Sequence, residues 1–256
     1  MTPAQWIALL ALFFVTSVVG VVTGSNSLIT VPVMFQFGLD PRVAIATNMF
    51  GLTFMSIGGT LPFIGKNAID RRRLPPLVAL TLVGSTLGAL LVLVIPARSL
   101  PLIVSLSMLS VALFSTLRRG TGERSTAPSA RDVALAYVLT FALGIYGGFF
   151  SGGYVTMLTA VYVAFLGMTF IEAVSITKAI NIFSSLVATL VFMWRGLVDY
   201  KLGLALALVM FVGAFVGGRI ALRMNNRVIK KIFIATVVAL ALKILLYDFL
   251  WKSTLD

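Results

Sequence analysis

The chain has 256 residues, 59% hydrophobic and only 11% charged, with a strongly positive mean hydropathy; ordinary soluble domains hold roughly 45–50% apolar residues, so this is the composition of an integral membrane protein. The formal net charge of +12 then reads as basic loops against anionic cytoplasmic lipid, not as a nucleic-acid surface. Cysteine and histidine are absent, which excludes disulfides and thiolate nucleophiles and leaves neither a metal site nor a cofactor site to predict.

Apolar runs near 4–22, 43–64, 74–95, 101–117, 133–150, 170–194, 202–222 and 228–250 each approach or exceed the ~20 residues a helix needs to cross hydrocarbon. Period-two alternation is missing, so a β-barrel is not indicated. The first run follows MTPAQW, without a basic flank, and reads as a retained span rather than a cleaved signal. Next comes GVVTGSNSLIT, Gly20 to Thr30, a glycine-rich break that carries Ser25, Asn26 and Ser27. A short apolar piece, Leu28 to Leu39, follows it, and the next run holds Thr47 and Asn48 in the place comparable to Thr177 and Lys178 of the second half, without a cation. Gly84 with Gly88, and later Gly213 with Gly217, form GxxxG pairs whose natural use is close helix packing.

The first half, 1–117, is followed by a polar linker at 118–131 that is predicted to be cytoplasmic, and then by a second half, 132–256. A second break, GIYGGFFSGGYVT, places Ser151, Gly152 and Gly153 ahead of another short piece, Tyr154 to Gly167. The pairs Gly38 and Gly167, Asp70 and Asp199, Gly84 and Gly213, and Gly88 and Gly217 recur at one constant offset, which marks a tandem duplication. Loop charges give the relative orientation of the copies. Lys66, Arg71, Arg72 and Arg73 face a counterpart holding Arg195 and Lys201 with Asp199, whereas Arg98 faces Arg219, Arg223, Arg227, Lys230 and Lys231. Positive loops lie in the cytoplasm, so the copies are expected to be inverted. Inversion needs an odd number of crossings per half, and the short pieces supply the extra traverse or a re-entrant turn. The predicted fold is all-α, with about 8–10 membrane segments in two inverted repeats, each with a short or discontinuous helix.

Within the run EAVSITKAINIF, Lys178 lies roughly 12 Å along its helix, too deep for its stem to reach an interface comfortably. A charge near the bilayer centre costs at least about 2.5–3.5 kcal/mol and marks a pathway or a pair. Two readings stand: an anion site with Thr177 and Asn181 on the same helix, or a structural pair with Glu172, which six residues of helix set on the opposite face. Interrupted helices in both halves point to a midplane binding site, and free N–H groups at such breaks suit an anion. Lys243, nearer the end of its run, is expected to snorkel.

The segments KAIN (Lys178 to Asn181), VFMWRGLVDYKLG, MFVGAFVGGRIALR (Met210 to Arg223) and ALKILLYD (Ala241 to Asp248) resemble patterns of the TauE/SafE family, also called the 4-toluene sulfonate uptake permease family. The likeness covers nearly the whole chain. It is weaker at GSNSLITVP (Gly24 to Pro32), where relatives tend to carry a run of three glycines. The resemblance implies a bacterial inner-membrane permease for sulfite or organosulfonates, in several cases an exporter. The expected function is a secondary carrier of small sulfur-containing anions, not an enzyme, whose partners are that anion and the lipid bilayer. An anion channel and a non-transporting membrane assembly protein are the alternatives. Glu172 is the candidate for proton coupling.

Overall fold

The computed structural model describes residues 3–24, 26–64, 72–104, 106–107, 128–224 and 231. Ser25, Lys66, Asp70, Arg71, Arg227, Lys230, Lys243, most of the 118–131 linker and, apart from residue 231, the run at 228–250 lie outside them. The described residues are all-helical: α1 (Pro3–Thr23), α2 (Ser27–Gln36), α3 (Pro41–Thr60), α4 (Leu74–Val94), α5 (Ala130–Phe149), α6 (Tyr154–Leu166), α7 (Phe170–Trp194) and α8 (Tyr200–Leu222). A helical stretch also occupies 100–104. Five spans, 41–63 and α4, α5, α7 and α8, are long and apolar enough to cross hydrocarbon.

The helix starts follow from local chemistry. Asp40 accepts hydrogen bonds from the backbone of Arg42 and Val43 ahead of Pro41, leaving fewer unpaired N–H groups at the α3 start. Ser129 with Asp132, and Thr169 with Glu172, form reciprocal capping boxes at α5 and α7. Asp199 caps α8 through Leu202 N at 3.1 Å.

The short helices are short because the backbone turns left-handed around them. α1 ends where Gly24 takes φ 69°, and Ser151 takes φ 64° at the matching place before α6. Gly38 (φ 79°) and Gly167 (φ 68°) follow α2 and α6 in the same way. With 10 and 13 residues, these helices rise only about 15 and 20 Å. Neither crosses the ~30 Å hydrocarbon core alone.

Packing between the halves is reciprocal. α1 rests on α8 while α5 rests on α4, and α3 packs on α8 while α7 packs on α4. Small residues permit the close approach. A Cβ added at Gly84 would sit 2.7 Å from the Phe141 carbonyl oxygen, and one at Gly213 would sit 2.8 Å from that of Phe14. One turn on, a Cβ at Gly88 would overlap the Ile145 carbonyl, and one at Gly217 would overlap that of Val18. The packing role expected of these four glycines is the one observed.

Burial separates the centre from the lipid side. The α3 span is 83% buried and that of α7 is 61%, against 33% for α5 and 39% for α4. The peripheral helices turn Val83, Leu87, Leu91, Val138, Leu204 and Leu208 outward, as apolar faces against acyl chains require.

Candidate functional site: a lysine at the crossing of two helix breaks

The two breaks meet. A Cβ on Gly24 would come within 2.7 Å of Thr156 N, so the end of α1 lies against the first turn of α6. Across the same contact the Thr156 hydroxyl donates to the Thr23 carbonyl. α3 and α7 cross beside this junction, and Asn181 Nδ2 of α7 donates to Ser56 Oγ of α3 at 2.7 Å. Side chains from both halves thus reach one point inside the bundle.

Lys178 occupies that point. It is 2% exposed, and its Nζ donates to the Gly20 carbonyl oxygen at 2.9 Å. That oxygen also accepts from Gly24 N at 2.8 Å as the last turn of α1 closes. An ammonium carries three donors, and two of them find no further partner among the described residues. The stem runs past Gly59 of α3, where an added Cβ would stand 3.8 Å from Lys178 Cδ, an ordinary contact. Glu172 is engaged elsewhere: its carboxylate accepts from Thr169 N at 2.8 Å and from Thr169 Oγ1 at 2.9 Å. The two readings of Lys178 therefore part here, since its partner is a backbone carbonyl.

A cavity opens beside the amine. Lys178, Asn181, Asn26, Ser27 and Ser151 line it together with Gly20, Gly24, Leu52, Met55 and Val155. Its volume of about 10 Å³ is on the order of a single water. Asn26 Nδ2 points at Met55 Sδ, 3.4 Å away, while Asn26 Oδ1 and Asn181 Oδ1 are buried without hydrogen-bond partners among the described residues.

The remaining candidates take other places. Asn48 stands one layer back: its Nδ2 donates to Ser27 Oγ at 2.9 Å and its Oδ1 accepts from Thr30 Oγ1 at 2.8 Å, which fixes α2 against α3. Thr47, one residue earlier, faces the other way and accepts from Asp199 N at 3.0 Å. Thr177 lies 3.4 Å from Thr159 of α6 and donates to the Val174 carbonyl at 3.0 Å. Gly152 accepts from the Tyr146 hydroxyl, and Gly153 sets the left-handed turn that starts α6. Sequence reasoning missed Gly20, Leu52, Met55 and Ser56. The signal was present in part, because Asn48, Leu52 and Met55 follow one another at helical spacing on one face of α3.

Curated relatives align along nearly the full length. A probable membrane transporter protein of Sinorhizobium sp, ORF9, is 27% identical over 232 residues, covering 91% of this chain and 89% of the relative. The probable membrane transporter protein YfcA of Escherichia coli K12 is 28% identical over 240 residues, covering 93% and 89%. A probable membrane transporter protein of Haemophilus influenzae is 23% identical over 238 residues, covering 93% of each. No solved structure matches the chain. Residues 8–244 match the model of the sulfite exporter TauE/SafE family; with its apolar helices and interrupted segments, the chain belongs to that family and is a multi-pass membrane transporter.

Proposed function

We propose that the chain is a secondary carrier of small sulfur-containing oxyanions, sulfite or an organosulfonate, and that it works by alternating access around Lys178. Export across a bacterial inner membrane is the direction and place this reading assigns. The observation that carries it is a buried ammonium bonded to a backbone carbonyl, with donors to spare, in a cavity built where two interrupted helices meet. Charge-assisted hydrogen bonds to an oxyanion are the strongest use of such a group.

The size of the cavity favours a carrier over a channel. A space for one water admits neither a sulfonate nor a continuous aqueous path, so the helices around it must separate before an anion enters. Two inverted repeats rocking against each other are the motion this reading requires. Charge movement supplies a driving force, since each elementary charge is worth about 2.3 kcal/mol per 100 mV. Glu172 as a proton-coupling group would require its cap to open, because its carboxylate accepts from both Thr169 N and Thr169 Oγ1 at the start of α7.

The test is sulfite and sulfonate flux in proteoliposomes with Lys178→Met at matched protein abundance. Flux is expected to fall about 10–100-fold, the loss of one charge-assisted contact. Unchanged flux would sink the assignment of the site.

A further inference from the structure

The cavity presents acceptors as well as positive charge. Asn26 and Asn181 are 4% and 2% exposed, both line the space beside Lys178, and the Oδ1 atom of each is unpartnered among the described residues. A buried polar atom left unpaired costs about 1–3 kcal/mol. A site that keeps two such oxygens beside an ammonium is arranged to receive a donor there.

The orientation of Asn26 is set by its neighbour. Its Nδ2 faces the Met55 sulfur, a weak acceptor, and turning the amide over would oppose oxygen and sulfur lone pairs. Its backbone is held as well, since the Asn26 carbonyl accepts from Ile29 N at 3.0 Å and from Thr30 N at 3.1 Å. Asn181 differs, because the Ser56 hydroxyl can serve its amide in either orientation. Asn26 Oδ1 is therefore the firmer of the two acceptors.

A bare oxyanion meets only half of this arrangement. Its oxygens accept from Lys178 Nζ, but they repel the amide oxygens and offer them no proton. An anion that also carries an O–H or N–H group satisfies both walls. We infer, resting on the anion-carrier reading above, that the substrate class is a small oxyanion bearing its own hydrogen-bond donor. Lys178 holds the anionic oxygens, and Asn26 Oδ1, supported by Asn181, accepts from the donor.

Two probes isolate this requirement. 2-Hydroxyethanesulfonate and propane-1-sulfonate are monoanions of nearly the same shape, differing by a hydroxyl in place of a methyl. Their affinities for the purified 256-residue chain are compared by thermal shift and by competition with sulfite flux in proteoliposomes. The hydroxylated probe is expected to bind about tenfold or more tightly, as a site built around a polar contact rejects the analogue lacking it. Asn26→Leu should bring the ratio close to one, and Asn181→Leu should lower it less. The wild-type ratio is decisive by itself should a variant fail to fold. Equal binding, or preference for propane-1-sulfonate, overturns the donor requirement and leaves the Lys178 carrier reading standing. Binding of neither probe overturns the inference, and the carrier reading falls with it only if sulfite also fails to bind.

Discussion

Helices α3 and α7 occupy matching places in the two halves, yet the offset that pairs Gly84 with Gly213 sets Met49 against Lys178 and Leu52 against Asn181. Both helices are largely buried, and both follow a short helix ended by a left-handed glycine. The close glycine contacts occur in both halves, while the buried lysine occurs in one. Physical reasons differ for the two. Close helix packing requires a small residue wherever a partner backbone approaches, so Gly84, Gly88, Gly213 and Gly217 are constrained in both copies. A second buried ammonium beside the first would add another insertion cost of about 2.5–3.5 kcal/mol, with repulsion on top.

The largest expected effect tests that asymmetry directly. Lys178→Met should cost most of the flux, whereas Met49→Leu at the matching position should change it by less than about twofold, a volume-conserving swap in a packed core. Comparable losses at both positions would show that the chemistry is shared. Next, Gly88→Val and Gly217→Val should each destabilise the detergent-solubilised protein by about 2–3 kcal/mol or more, because the added carbons overlap the Ile145 and Val18 carbonyls. Melting temperatures that fall in one half only would break the equivalence of the two frames.

Smaller effects separate the breaks from the helix ends. Gly38→Ala meets nothing within 4 Å, so its cost should be the left-handed penalty alone, about 1–2 kcal/mol. Gly24→Ala carries the same penalty plus the contact with Thr156 N and should melt lower, which differential scanning fluorimetry can resolve. Asn48→Leu strips two bonds from α2 and should cost about 1–2 kcal/mol. Thr177→Val, whose contact with the other short helix is 3.4 Å, should cost less. Smallest of all is Thr53→Val: its 3.3 Å contact with Thr189 is an interhelical hydrogen bond of the kind worth about 0.6 kcal/mol.

Much of the architecture was legible because its causes are local. Hydropathy located α3, α4, α5, α7 and α8, and glycine clusters located both breaks. The site was legible only in part. Lys178, Asn181, Asn26, Ser27 and Ser151 were readable as polar groups at unfavourable depth, and the structure gathers them around one cavity. Thr47 and Asn48 were read together, and the structure divides them, sending one to the α8 cap and the other to α2. Successive helical residues point about 100° apart, and no local rule says which of two neighbours faces a partner not yet placed. Gly20 had no side chain to announce it, since its contribution is a carbonyl.

The sequence by itself determined that this chain lives in a bilayer, that two helices are broken within it, and that a lysine stands too deep to reach water. Those facts follow from composition, periodicity and the length of a helix relative to the hydrocarbon core. Only the tertiary structure decided what the lysine meets: the Gly20 carbonyl in place of Glu172, and two amide oxygens, unpaired among the described residues, brought from the first break and from α7, more than a hundred residues apart. The reason is that membrane helices are placed by close packing of small residues, a property of two surfaces together that neither segment carries alone.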